Sequence, residues 1–303
     1  MKIITLNNIT QAVIDHGDGG KMHPRLYEIY TSLIQHLHAF VKETNLTGAE
    51  LQQGRTFLNG ASRYTQEIPD GEIHMLTDLI GLSELVELLH DSNGGTTEAN
   101  LEGPLYVPNA PERAMGERLG VDDAGDTLFL SGQVLDGNGS EIANALIDVW
   151  HPNSKGLYDI QDPSQPKGNF RGRFYTDSEG KYAFETTVPM GYNVPASGPC
   201  GEVLRLLGRH TWRAAHIHFK VSASGYAPLT TQIFIAGDPH LDSDTTFAVR
   251  SAIVPLQSHE ALDELKARNQ GRPFYTTEFN FVLKPATSVE NDKAMPLLHT
   301  LHS

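Results

Sequence analysis

Cysteine is nearly absent: Cys200 is the single one in 303 residues, so no disulfide can form within the chain. The chain starts MKIITLNNITQAVIDHG, with no basic stretch followed by a long apolar run. Together these features lead us to expect a reducing, cytoplasmic setting. Basic residues are also short, 23 against 37 acids, for a formal net charge of −14. A surface of that sign is unsuited to nucleic acid, which needs cationic groups along its phosphates. No apolar run approaches the roughly 20 residues of a membrane span. Internal repeats and low-complexity segments are missing too. What remains is an ordinary globular composition, 39% hydrophobic and 20% charged, long enough for one large domain or a domain with an appendage.

The apolar period changes along the chain. Residues 26–43 place Leu26, Ile29, Tyr30, Leu33, Leu37, Phe40 and Val41 at helical spacing. Thr47 with Glu50 three residues later predicts a capping box at the start of a second helix. A third helix is predicted over about 72–90, and DSNGGTTEAN (91–100) then breaks the pattern. From about 101 the period becomes two. LFLSGQVL, IANALIDVW, FRGRFYT, KYAFETTV, AHIHFKVSA, LTTQIFIAG and TEFNFVLK are strand candidates separated by turn sequences such as DGNG and DSEG. ALDELKARN (261–269) is a short helix candidate. The expected fold is mainly β with a helical N-terminal unit, residues 1–100, followed by an antiparallel β-sandwich, residues 101–303.

AHIHF carries the first chemical signal. In a strand, Ile217, Phe219 and Val221 face one way while His216, His218 and Lys220 face the other. Imidazoles at i and i+2 stand about 7 Å apart and can reach one metal ion. The chain holds 14 histidines, so a bare pair is more often just a polar strand face. Familiar zinc patterns are absent: there is no His-Glu-x-x-His and no set of cysteines. Iron would take imidazole with anionic oxygen donors. Tyr158 in SKGLYDIQ and Tyr192 in VPMGYNVP offer such oxygens from Gly- and Pro-bearing loops. Each could equally be an amphipathic rim tyrosine. A phenol ionises near pH 10, so it serves as a ligand only beside a strongly Lewis-acidic cation such as Fe(III).

Beyond this point the sequence resembles a known family. LSGQVLDGNGSEIANALIDVWHPNSKGLYD, TDSEGKYAFETTVPMGY, LLGRHTWRAAHIHF and LTTQIFIAGD are similar, in order, to the intradiol ring-cleavage dioxygenases, the catechol and hydroxyquinol 1,2-dioxygenases. The resemblance runs from GPLYVPNAP (103–111) to FAVR (247–250). It implies an Fe(III) cofactor held by Tyr158, Tyr192, His216 and His218. It also implies catalytic roles for Tyr192, Arg213 and Gln232, with a small aromatic diol and O2 as substrates. On that reading two phenolates and a hydroxide balance the ferric charge, and Tyr192 accepts a substrate proton while Tyr158 stays on the metal. Arg213 would stabilise negative charge developing on the substrate.

Substrate signals are mixed. EGPLY (102–106), with Leu105, resembles the catechol branch. YDIQDPSQP, NFRGRFYTD and LDSDTTFAV resemble the hydroxyquinol branch, as does LTD (76–78), whose Asp78 could accept a bond from a third hydroxyl. Thr245 and Thr246 stand where catechol enzymes place an aromatic and a small apolar residue. The balance favours hydroxyquinol. The helical unit resembles the family's dimerisation region, implying a homodimer through the N-terminal helices, where family members can hold a lipid. Two other readings stay open: a non-catalytic transthyretin-like sandwich that binds a partner, and a divalent-metal hydrolase using the two histidines.

Overall fold

The computed structural model describes residues 3–16, 23–66, 68, 71–90, 95–122 and 124–286. These form two compact units, one of residues up to 58 and one spanning 59–286. The first holds α1 (Ile9–Asp15), α2 (Pro24–Glu43) and most of α3 (Gly48–Arg63). Pro24 opens α2, where its missing N–H costs nothing. The Thr47 and Glu50 capping box forms as expected, with Thr47 N–H donating to Glu50 Oε2 at 2.8 Å and Glu50 N–H to Thr47 Oγ1 at 3.3 Å. No residue of α2 is buried, and its stripe of Leu26, Ile29, Leu33, Leu37 and Phe40 is exposed.

The helix expected over 72–90 is two helices, α4 (Ile73–Leu79) and α5 (Leu82–His90). Gly81 at φ 72 ends the first, its N–H donating to the Asp78 carbonyl at 3.0 Å. A left-handed residue closes a helix in this way, and glycine adopts it without steric cost. The apolar spacing runs on through the break, so periodicity could not show it. Of the break expected at 91–100, residues 91–94 lie outside the described residues, as does everything after 286.

The remaining strands and helices are β1 (Thr127–Asp136), β2 (Leu146–Trp150), β3 (Arg171–Tyr175), β4 (Lys181–Thr187), β5 (Tyr192–Asn193), α6 (Pro199–Leu206), β6 (Trp212–Arg213), β7 (His216–Ser222), β8 (Leu229–Ile235), β9 (Ile253–Val254), β10 (Gln257–His259), α7 (Leu262–Ala267), β11 (Phe274–Glu278) and β12 (Phe281–Leu283). One sheet runs β10-β11-β1-β12 with β4 also on β1; the other runs β3-β2-β7-β8-β9; β5 and β6 form a separate pair. The sandwich is therefore present. Its pairing is antiparallel between β4 and β1, along β3-β2-β7-β8, between β10 and β11 and between β5 and β6, while β11 and β12 join β1, and β9 joins β8, in parallel. Leu128, Leu130 and Val134 of β1 meet Ile217, Phe219 and Val221 of β7 in the shared core. The strand predicted as TEFNFVLK is split, because the chain kinks at Phe279 and both pieces align on the ten-residue β1.

That kink depends on Gly132. The Phe279 carbonyl presses on Gly132 so closely that a Cβ there would collide with it, while Tyr182 Oη donates to the same carbonyl at 2.7 Å. Gly132→Ala is expected to lower unfolding free energy by about 1–3 kcal/mol, the usual range for overpacking. Urea denaturation checks it, and a variant as stable as the parent would contradict the close approach.

Candidate active site

The alternation of β7 sets the site. With Ile217, Phe219 and Val221 committed to the core, His216 and His218 must face outward from the sheet. Register then aligns a row across four strands: Arg171 opposite Trp150, Trp150 opposite His218, and His218 opposite Gln232. All four side chains are buried, because loops and α4 cover this face. Trp150 stacks on His218 with ring centroids 4.8 Å apart.

The two imidazoles point at one place, with His216 Nε2 and His218 Nε2 separated by 3.1 Å. His216 Nδ1 lies 2.6 Å from the Ala214 carbonyl. A carbonyl can only accept, so the ring proton sits on Nδ1 and Nε2 presents a lone pair. Burial, followed by the charge of Arg213, pushes His216 down to about 3. Burial and the neighbouring His216 hold His218 well below the ordinary histidine value. Both rings are therefore neutral donors at physiological pH.

The phenols close around them. Tyr158 and Tyr192 meet edge to face at 5.7 Å, and Tyr192 lies 5.5 Å from His216. Tyr158 comes from the loop after β2, where its N–H donates to Gln161 Oε1. Tyr192 stands on β5 and pairs with Arg213 on β6. Gly191 precedes it because a Cβ there would crowd the Arg213 carbonyl, so the glycine serves close backbone approach. Burial, then the Tyr192 phenol, raises Tyr158 well above its usual value, and its Oη has no hydrogen-bond partner among the described residues. A buried unpartnered phenol beside two neutral imidazole nitrogens is a costly arrangement. It fits a hard, highly charged cation, which would take up the lone pairs and favour the phenolate form. Among the described residues no group of three or more histidine, cysteine, aspartate or glutamate side chains could hold a metal. Any ion at this place needs the tyrosines, which removes the usual donor set of a divalent-metal hydrolase.

Arg213 is the site's fixed cation. Its Nη1 is 3.2 Å from His216 Nε2, its Nη2 donates to Gln232 Oε1 at 2.8 Å, and its Nε faces Asp244 at 3.3 Å. Burial opposes the charge, but Asp244 and the two phenols more than offset it and raise the guanidinium above its ordinary value. Gln232 spends its remaining amide group on the Leu101 carbonyl at 2.8 Å. Fully buried, Gln232 holds Arg213 in place.

Asp78, Leu105 and Thr246 line a small cavity with Tyr192, Arg213, His218, Met75 and Val194. Burial pushes the Asp78 carboxyl above its ordinary range, and its Oδ1 has no hydrogen-bond partner among the described residues. Thr246 Oγ1 donates to Asp244 at 2.7 Å. Thr245 does not line this cavity: it borders a neighbouring depression with Arg209 and Phe247, and its hydroxyl donates to the His210 carbonyl. Both threonines lie in a turn, and their hydroxyls go to different acceptors. A larger depression of about 630 Å3 on the other sheet gathers no histidine, tyrosine or cysteine, so volume alone does not mark the site.

Comparison with known proteins agrees with this geometry. The chain matches the family model described as "Dioxygenase" over residues 101–285 and the one described as "Catechol dioxygenase N terminus" over 23–97. The chain belongs to the intradiol ring-cleavage dioxygenases. It is 36% identical to a hydroxyquinol 1,2-dioxygenase of Rhizobium sp. (strain MTP-10005), covering 86% of this chain and 89% of that protein. It is 37% identical to a catechol 1,2-dioxygenase 2 of Acinetobacter lwoffii, covering 89% and 95%. The crystal structure of hydroxyquinol 1,2-dioxygenase from Pseudomonas putida DLL-E4 superimposes with a TM-score of 0.84 at 36% identity, over 93% of this chain and 99% of that one. Family membership also sets aside the non-catalytic binding sandwich.

In this dioxygenase the sequence reading missed Asp244, Trp150 and Arg171. Their strand or loop position was readable, but their partners were set by register. His151, next to Trp150, is fully buried between the Pro152 carbonyl at 2.7 Å and Thr186 Oγ1 at 2.6 Å. Burial drops it to about 4. Between its unfolded value near 6.5 and about 4, the unfolded chain binds the proton and the folded one does not. Stability therefore falls as pH drops through that window, by up to about 1.4 kcal/mol per pH unit for this histidine. Thermal melts of metal-free His151→Gln between pH 7 and 4 are expected to show a shallower decline than the parent. An unchanged slope would refute the assignment.

Proposed function

We propose that this dioxygenase uses Fe(III) bound by Tyr158, Tyr192, His216 and His218, and that its preferred substrate is hydroxyquinol, opened to maleylacetate. The convergence of two neutral Nε2 atoms on two buried phenols, with no other ligand cluster among the described residues, supports this reading. Ferric iron, when bound, supplies the Lewis acidity that ionises phenols and draws electron density from an aromatic diol. The side chains supply the rest. Tyr192 Oη, in the cavity wall, takes the proton of one substrate hydroxyl. Arg213, locked between Asp244 and Gln232, presents positive charge where the ring oxygens become negative, and needs no reorganisation to do so. Leu105, Met75 and Val194 shield the ring from water.

Asp78 favours hydroxyquinol. A buried carboxyl with an unpartnered oxygen loses a hydrogen bond when the substrate lacks the third hydroxyl. Catechol, opened to cis,cis-muconate, is the second reading, favoured by Leu105 in EGPLY. In the same reading the enzyme is a cytoplasmic homodimer. The exposed α2 stripe supports contact through the N-terminal helices, with a lipid as a further occupant there; residues 1–100 are the helical part, from which Met75 and Asp78 line the cavity, and 101–303 the catalytic sandwich.

Purified iron-replete protein is expected to be red-brown from phenolate-to-iron charge transfer. It should cleave between the two hydroxyl-bearing carbons, with kcat/KM at least about tenfold higher for hydroxyquinol than for catechol. A colourless iron-bound protein would end the ferric reading, whereas a clear preference for catechol would end only the substrate assignment.

The tyrosines are expected to differ. Tyr192→Phe should slow substrate deprotonation by about a hundred- to ten-thousandfold while keeping iron, and Tyr158→Phe should lose iron. Anaerobic stopped-flow absorption reads both. Deprotonation at the parent rate in Tyr192→Phe would exclude Tyr192 as the base.

A further inference from the structure

Arg171 has no place in the chemistry described so far, yet it is only 2% exposed on β3. Its Nε donates to Asp159 Oδ1 at 2.7 Å, a pair whose side chains are 2% and 5% exposed. Asp159 directly follows Tyr158. Its other oxygen accepts the Gly168 N–H at 2.8 Å, and the Arg171 N–H returns to the Gly168 carbonyl at 3.1 Å. The loop carrying Tyr158 is thus stapled to β3. Asp159 uses only Nε, and both Nη groups are buried without a hydrogen-bond partner among the described residues. The guanidinium carbon lies 5.6 Å from the centroid of the Tyr158 ring, within cation–π range. Phe170, just before Arg171, is fully buried at φ 55. Bulky side chains rarely accept that conformation, and surrounding structure must hold it.

An arginine fixed at this expense, with both Nη groups unused, is poorly explained as structural glue. A hydrophobic residue on β3 would fill the same space without burying a charge. We propose that Arg171, fixed by Asp159, is the positioning residue of Tyr158, holding positive charge against that phenol so that Tyr158 is the phenolate retained through the reaction. Tyr192 instead borders the cavity that Arg213 shares, where substrate enters and protons move. Arg213 acts on both phenols, and Tyr158 alone has a second guanidinium over its ring, so the difference between the two tyrosines originates in that added cation. This inference rests on the ferric reading given above.

The test is iron-loaded protein in three forms: parent, Arg171→Lys, and the double variant Arg171→Met with Asp159→Asn. The double variant removes the pair together, so that no buried carboxylate is left without its partner. Visible absorption and iron retention against a chelator are read, with circular dichroism melts as the check on folding. Without the nearby cation the phenolate electrons are held less tightly, so the charge-transfer band should move to longer wavelength. Iron affinity should fall about ten- to a hundredfold, as for other residues that orient metal ligands. Arg171→Lys keeps the charge and should recover most of the parent band. A folded double variant with the parent's band and iron affinity would overturn the proposal and leave the ferric reading intact. If the double variant does not fold, Arg171→Gln decides, since its amide can still donate to Asp159 without the charge: a band at longer wavelength with weaker iron retention supports the proposal, and the parent's band and iron affinity overturn it. A colourless iron-bound parent would remove the ferric reading and this inference with it.

Discussion

Two imidazole nitrogens 3.1 Å apart cannot both carry a proton, and the rest of the site follows from how the fold enforces that. The Ala214 carbonyl pins one proton on His216 Nδ1. Burial then keeps both rings neutral, and the guanidinium of Arg213 makes a second positive charge nearby still more unfavourable. Such lone pairs are stable only where the backbone does not permit the rings to turn away. Strand β7 provides that, since Ile217 between the histidines and Ala215 and Phe219 on either side of them are anchored in the core. Trp150 closes the outer side of His218 by stacking on it.

A buried arginine beside neutral imidazoles carries its own cost, and the chain meets it locally. Asp244 accepts from Arg213, from the Ala214 backbone and from Thr246. Its carboxyl, opposed by burial but favoured by the guanidinium, sits below its ordinary value. Gln232 ties the remaining side of Arg213 to the Leu101 carbonyl. That carbonyl belongs to the segment entering the cavity wall at Gly103 and Leu105. One network therefore orients the cation, closes the wall and satisfies groups that would otherwise be left unpaired. Removing one member exposes the others, so single substitutions here should not be additive.

The histidine pair was readable in the sequence because alternation is a one-dimensional signal: Ile217, Phe219 and Val221 oblige His216 and His218 to the opposite face. The tyrosines were reached through the family resemblance, because a loop residue carries no periodicity and Tyr158 and Tyr192 look like rim tyrosines until the fold brings them together. Cross-strand register is invisible in a single sequence. For that reason Arg171, Trp150 and Gln232 could not be aligned with His218, nor could the bond from Arg213 to Gln232 be foreseen. Thr245 and Thr246 were assigned together by resemblance to the catechol enzymes, whereas only Thr246 lines the cavity, because side-chain direction within a turn is not encoded in spacing. The division of residues 73–90 into two helices turned on one backbone angle at Gly81, which apolar spacing does not encode.

The origin of each proposed ligand bears on how the site can act. Histidines on a central strand, paired on both sides, have almost no freedom to move. Tyrosines on connecting segments have more, and the two segments differ. Tyr158 lies in a loop tied to β3 through Asp159 and Arg171, whereas Tyr192 stands on a two-residue strand facing the cavity. On the proposed ferric reading, a site that admits a bidentate diol needs one ligand able to yield and others that do not. The sheet supplies the fixed pair, the staple fixes the first phenol, and the short β5–β6 pair leaves the second able to respond. The asymmetry required for the chemistry is thus already present in the backbone, before any substrate binds.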